Sequence, residues 1–428
     1  MNRLVALDKK YVWHPFTQMA DWAKDDILII ERAEGCSLID TQGRRYLDGV
    51  SSLWCNVHGH RVPEIDRAVK KQLDRVAHST FLGLSNIPAI ELAEKLISIA
   101  PKGLTRVFYS DSGSEAVEVA LKMAYQYWQQ KGEKKKTKFA RLTNAYHGDT
   151  LGAVSVGGIQ LFHDLYRPLL FKTFEISDLR LLESVFRKHS GEIAALVMEP
   201  LIQGAAGMLT QPPGFLSHVR KLTRRYHILL IFDEVATGFG RTGRMFAADH
   251  EKVTPDLMAV AKGLTGGYLP LAATLTTERI YKSFLGSYAK LKTFFHGHTY
   301  TANPLACQAA LASLELFRKK KVLEKLRPKI DLLKDRLKEF WRLPHVGDIR
   351  QAGFMVGIEL VRDRDTDEPY PLEKKIGIRV IQEARRRGVI LRPLANVIVL
   401  MPPLAISHRE LHKLLDTTYS SIQTVTGG

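Results

Sequence analysis

The chain has 428 residues, 45% hydrophobic and 25% charged, the make-up of a globular protein with room for one large α/β domain and a smaller one. No apolar run approaches the roughly 18 residues of a membrane helix, no apolar h-region precedes Lys9-Lys10, and three cysteines (Cys36, Cys55, Cys307) are too few and scattered for a disulfide framework; a cytoplasmic protein with no membrane partner is expected. The net charge of +17 raises nucleic-acid binding, but the basic runs Lys134–Lys136, Arg318–Lys321 and Arg385–Arg387 lie far apart without interleaved aromatics, so a solvated surface that also steers anionic substrates is expected, and no nucleic-acid partner.

From Met1 to about Val57 the pattern is irregular, with short strand candidates at Ile27–Ile30 and Ser37–Asp40 and a turn at Asp40–Arg44. Proline in the first turn predicts a helix over Pro63–Ala77. From Leu104 onward, apolar strands alternate with amphipathic helices, the strands falling at Arg106–Tyr109, Phe139–Leu142, Ala194–Met198, Ile228–Phe232 and Met258–Ala261. That alternation predicts an α/β fold with a largely parallel, doubly wound sheet. The helix with Val117, Ala120, Leu121, Ala124 and Trp128 at helical spacing is the clearest. A long helical run from Thr301 to Phe340 is expected to break near Pro328, and a portion mixing strands and helices starts near Val346.

Two strand candidates end in charge, one at Asp233 and the other at Lys262. Such residues emerge at the carboxyl edge of an α/β sheet, where ligands bind. A lysine at the mouth of an apolar pocket can lose its proton and act as a nucleophile. An aspartate beside it can hold a protonated ring nitrogen, and the pair suits pyridoxal phosphate. Taken alone, the two read rather as an ordinary ion pair. Gly113 and Ser114 stand where a strand meets a helix N-terminus, which favours an anion; in isolation they could as well be a cap. The triplets His58–His60 and His296–His298 each offer two imidazoles, with no cysteine or glutamate spaced to complete a zinc site. They read as loop turns, and no metal is expected.

Three ordered segments change the balance. Asp233-Glu234-Val235-Ala236-Thr237-Gly238-Phe239-Gly240-Arg241-Thr242-Gly243 resembles the signature of the class III (omega) aminotransferases. Lys262-Gly263-Leu264-Thr265-Gly266-Gly267 resembles their cofactor-lysine motif, and Ser110-Asp111-Ser112-Gly113-Ser114-Glu115-Ala116 their phosphate loop. The resemblance implies fold type I of the pyridoxal-phosphate transferases, with a large cofactor domain at 58–327 and a smaller α+β domain built from 1–57 and 328–428. It implies that Lys262 carries the cofactor and moves the proton, that Asp233 keeps the ring nitrogen protonated, and that Gly113 and Ser114 hold the phosphate. Tyr146 and Val235 would flank the ring, while His147 and Asp149 order their loop. His298 and Thr299 would serve the cofactor, Thr299 reaching the neighbouring subunit's phosphate, which implies a homodimer with shared active sites.

Trp13-His14-Pro15-Phe16-Thr17-Gln18-Met19 and Gly388-Val389-Ile390-Leu391-Arg392-Pro393 resemble the members of that family that convert 8-amino-7-oxononanoate to 7,8-diaminononanoate in biotin synthesis. The resemblance implies that Arg392 pairs with the substrate carboxylate and that Gly297 and Tyr146 line the pocket. Phe16 and Leu53 stand where the usual form, with S-adenosylmethionine as amino donor, carries tyrosine and tryptophan in contact with substrate. A form that takes its amino group from L-lysine resembles His14–Met19 and Leu291–His296 here. S-adenosylmethionine is the expected donor, L-lysine its rival. An omega-aminotransferase acting on ornithine, 4-aminobutyrate or a diamine, and a decarboxylase or aminomutase on the same scaffold, are the other enzyme readings.

Overall fold

The computed structural model describes residues 3–427; Met1, Asn2 and Gly428, the ends of the expected domain partition, lie outside them. A first helix, α1 (Arg3–Tyr11), precedes β1 (Ile30–Glu34), β2 (Ser37–Asp40) and β3 (Arg45–Asp48). Then come α2 (Pro63–Leu73), α3 (Ile87–Ile99), β4 (Leu104–Ser110), α4 (Gly113–Gln130), β5 (Lys138–Leu142), β6 (Thr173–Ile176), β7 (Ile193–Met198), α5 (Phe215–Arg225), β8 (Leu229–Asp233), β9 (Leu257–Val260) and β10 (Ala272–Thr277). The C-terminal part holds α6 (Pro304–Lys319), α7 (Val322–Leu337), β11 (Val346–Ala352), β12 (Met355–Asp363), α8 (Ile376–Arg386), β13 (Val389–Ile390), β14 (Arg392–Leu394), β15 (Val397–Leu400) and α9 (His408–Thr426).

The central sheet has seven strands in the order β4-β10-β9-β8-β7-β5-β6. All its pairs are parallel except those of β10, which runs antiparallel to both β9 and β4. Every residue of β7, β8 and β9 is buried. Unbroken apolar runs do this because helices cover both faces of a parallel sheet. On one face Val117, Ala120, Leu121 and Ala124 of α4 pack with Ala195, Val197, Leu229 and Ile231. On the other, Leu196, Met198, Leu230 and Phe232 join the larger core. The carboxyl edge of β7, β8 and β9 is thereby held rigid.

The two ends of the chain meet in small sheets. β13 runs parallel to β3, with Leu47 opposite Val389 and Asp48 opposite Ile390, and β11, β12, β15 and β14 form an antiparallel sheet. Arg241 fastens these parts to the central sheet. It is fully buried, and its two terminal nitrogens donate to Pro402 O and Asn56 O, both at 2.7 Å.

Three expectations need correction. The strand placed at Ile27–Ile30 begins at Ile30 and runs to Glu34, because the ladder forms with Ser37–Asp40 across the turn at Gly35. The helix expected to reach Ala77 ends at Leu73. The long run after Thr301 breaks not at Pro328 but at Lys321, whose φ of 49° is left-handed. Pro328 sits inside α7, where it forfeits one backbone bond without ending the helix.

Candidate active site

β8 and β9 are parallel neighbours with Asp233 opposite Ala259, so Asp233 and the Lys262 that follows β9 leave the sheet side by side. They open into a cavity of about 430 Å³ whose walls also include Gly113, Ser114, Tyr146, Glu199 and Val235. Lys262 is half-buried by surface area, its open side facing this cavity. Burial pushes its ammonium below the ordinary lysine range, while the charges of Asp233 and Glu199 oppose that shift. Its φ of 46° is left-handed, a strain that the surrounding core sustains.

Asp233 is held on both oxygens. Oδ2 lies 2.7 Å from Nδ1 of His147, whose side chain is fully enclosed, and Oδ1 accepts Val235 N at 3.0 Å. Tyr146 donates its hydroxyl to Asp149 Oδ2 at 2.8 Å, and burial together with that carboxylate pushes its phenol upward. The Tyr146 backbone N–H donates to Glu199 Oε2 at 3.3 Å.

At the opening of α4, Ser112 Oγ accepts Glu115 N at 3.4 Å, and Glu115 Oε2 accepts Asp111 N and Ser112 N, both at 2.8 Å. This capping box stabilises the helix start and engages Glu115 N, leaving the first N–H groups, of Gly113 and Ser114, to face an anion. Glycine is required at Gly113, where a Cβ would stand 2.7 Å from Val235 Cγ1. Gly148, at φ 117°, brings its backbone to Ser114, whose Oγ a Cβ would meet at 2.0 Å. A lysine, a braced carboxylate, an aromatic face and a glycine-lined helix N-terminus in one cavity fit pyridoxal phosphate. The bound group supplies the electron sink for breaking a bond at the donor carbon.

Trp54 completes the wall, its ring centroid 5.0 Å from Lys262 Nζ. The turn that presents it is strained, with left-handed φ at Ser51, Ser52 and Trp54. Asp48 restrains it, accepting Ser52 N at 2.9 and 2.8 Å, and Ser51 Oγ donates to Met401 O at 2.6 Å.

The other expected site residues lie outside this cavity. Phe16 and Arg392 line a second cavity of about 740 Å³. Burial pulls the Arg392 guanidinium down while the nearby Tyr146 raises it. Phe162 stands between a residue of each, its ring centroid 5.4 Å from that of Phe16 and 6.4 Å from that of Tyr146. Leu53 is half exposed. Gly297, His298 and Thr299 belong to a stretch lying along α4, where Gln126 Nε2 donates to Lys292 O and Thr293 O; Gly297 and Thr299 are exposed. His298 is more than a turn residue, since its ring comes within 4.8 Å of carboxylates of Asp111 and Glu115, but Glu115 is engaged in the helix cap. His147, read as a loop-ordering residue, proves to be the brace of Asp233. Sequence reasoning missed Glu199 and Trp54 as cavity residues, and only the apolar strand ending at Met198 hinted at Glu199.

The Aminotransferase class-III family model matches residues 18–422. The chain belongs to the class III aminotransferases. A relative from Geobacter sulfurreducens, named adenosylmethionine-8-amino-7-oxononanoate aminotransferase, is 54% identical over 98% of this chain and 97% of its own length. One of the same name from Nitratidesulfovibrio vulgaris is 56% identical over 99% of this chain and 82% of its own. The crystal structure of adenosylmethionine-8-amino-7-oxononanoate aminotransferase from Methanocaldococcus jannaschii matches with a TM-score of 0.98 at 50% identity, covering 99% of each chain. Class III aminotransferases are pyridoxal-phosphate enzymes, and the Lys262 cavity has the side chains to fit that group.

Proposed function

We propose that the enzyme transfers an amino group to 8-amino-7-oxononanoate, giving 7,8-diaminononanoate for biotin synthesis, with S-adenosylmethionine as donor. The relatives' names support the reaction, and the observation that carries it in this chain is Arg392. It is a half-buried guanidinium without an ion-pair partner among the described residues, in the cavity that Phe16 also lines and near enough to Tyr146 to feel its charge. A guanidinium so placed binds a carboxylate at the far end of a chain whose other end reaches Lys262. Within the site, Lys262 Nζ would take up the proton that leaves the donor carbon and hand it on at the same face, its lowered basicity suiting it to release as well as accept. Asp233, braced by His147, keeps a ring nitrogen protonated. Gly113 and Ser114 hold the phosphate, and Tyr146 and Val235 flank the ring.

The active unit is a homodimer in which Thr299, with Gly297 and His298 beside it, serves the partner's site. Leu82, Tyr288 and Phe295 are at least 71% exposed in the single chain, apolar surface of the kind that a second copy covers. The domain partition at 57 and 327 is proposed on the same footing. Exposed Phe16 and half-exposed Leu53 bear on the donor, because they replace two aromatic contacts. Holoenzyme mixed with S-adenosylmethionine alone should lose the absorbance of the lysine-bound cofactor. Loss with L-lysine and not with S-adenosylmethionine would overturn the donor assignment and make those two positions the donor switch.

A further inference from the structure

We propose that Glu199 is the counter-charge for the ammonium beside the reacting carbonyl of the keto substrate, and so sets a preference for α-amino ketones. The inference rests on the substrate proposed above and assigns a residue to its second functional group.

Glu199 follows directly on β7, where Met198 pairs with Phe232, so it stands level with Asp233 at the same edge of the sheet. It lines the Lys262 cavity and is 4% exposed. Oε1 accepts Gly204 N at 2.9 Å and Oε2 accepts Tyr146 N at 3.3 Å. Both donors are neutral backbone groups, and no ion pair reaches this carboxyl among the described residues. Buried carboxyls without a cation are uncommon, because desolvation of the charge is left uncompensated. Burial pushes Glu199 up to about 7, with Asp233 adding to the rise and His147 opposing it. A cation arriving in the cavity would favour its ionised form.

The substrate supplies that cation. In 8-amino-7-oxononanoate the amino-bearing carbon is bonded to the carbonyl carbon, and the carboxylate lies at the far end of the chain. With that carboxylate on Arg392 in the outer cavity and the carbonyl at Lys262, the ammonium is confined to the inner cavity. The other carboxyls there are already placed. Asp233 is engaged by His147 and Val235 N, and Asp111 flanks the anion-binding turn at the start of α4. Among the described residues Glu199 is the inner carboxyl with neither an ion pair nor a cap to serve.

The test compares kcat/KM for 8-amino-7-oxononanoate and for 7-oxononanoate, which lacks the ammonium, using amino-loaded holoenzyme. The wild type should favour the amino ketone by on the order of 10- to 100-fold, the range of a charge-assisted hydrogen bond. Glu199→Gln should bring the ratio close to one, mainly through KM, and Glu199→Asp should recover part of it. Calorimetric titration of holoenzyme with 7,8-diaminononanoate should show a matching loss of affinity in Glu199→Gln. An unchanged ratio in Glu199→Gln would overturn the proposal. So would an equal loss on both ketones accompanied by a shifted pH titration of the cofactor absorbance, which would tie Glu199 to Lys262 instead. Failure of the wild type to turn over 8-amino-7-oxononanoate would instead overturn the substrate assignment beneath it.

Discussion

His147 shows how a single contact reassigns a residue. In the sequence it is one of several polar groups after β5, and nothing local distinguishes it from a loop-ordering histidine. Folding carries it to Asp233 at 2.7 Å, fully enclosed, with its Nε2 lacking any partner. That contact orients the carboxylate at the Lys262 cavity, as an outer hydrogen-bond partner does for any working group. His147→Ala should lower kcat by roughly 10- to 100-fold, the cost of a lost hydrogen bond to a charged group, and should shift the pH titration of the cofactor absorbance. Spectrophotometric titration beside steady-state kinetics checks this. A variant with a lower Tm and an unmoved titration would make His147 structural only. Lys262 and Asp233 were legible because each ends an apolar run. Glu199 and Trp54 were not, since their roles exist only once segments far apart in the chain share one cavity.

At the scale of elements, the strands of the central sheet were readable because burial on both faces demands continuous apolar runs, and Ala194–Met198 and Ile228–Phe232 have no other use. The antiparallel β10 was not, since Ala272–Thr277 carries no sign of direction. Helix α1 was missed because none of its residues is buried, so it lacks the one-sided apolar stripe that marks packed helices. The turn after β8 depends on Glu234. It accepts the Thr237 hydroxyl at 2.5 Å, Ala247 N at 3.0 Å and Ala248 N at 2.8 Å, which ties the loop to the strand that carries Asp233. Burial pushes this carboxyl up to about 7. Between the ordinary glutamate range and pH 7, the folded chain therefore keeps a proton that the unfolded chain has lost, and stability from this group falls as pH rises through that window. Glu234→Gln removes that slope. Whatever its absolute Tm, the variant's change in Tm from pH 5 to pH 8 should be more positive than the wild type's by several degrees. Thermal unfolding at the two pH values decides, and parallel shifts would contradict the assignment.

Across the whole molecule, the proposed site is assembled from parts that begin at Phe16 and end at Arg392. The ends of the chain are joined by the pairing of β3 with β13 and anchored by Arg241, which holds the Arg392 cavity beside the Lys262 cavity. The proposed division of labour puts cofactor chemistry at the carboxyl edge of the central sheet and substrate selection where both chain ends meet beside it. The surplus positive charge fits carboxylate substrates approaching that opening. The most direct measurement is a single turnover in two additions. Holoenzyme is first converted by the donor until the absorbance of the lysine-bound cofactor is gone. Addition of 8-amino-7-oxononanoate should then restore that absorbance and release one equivalent of 7,8-diaminononanoate per site. Restoration by the semialdehydes that ornithine or 4-aminobutyrate would yield, with none from 8-amino-7-oxononanoate, would contradict the account.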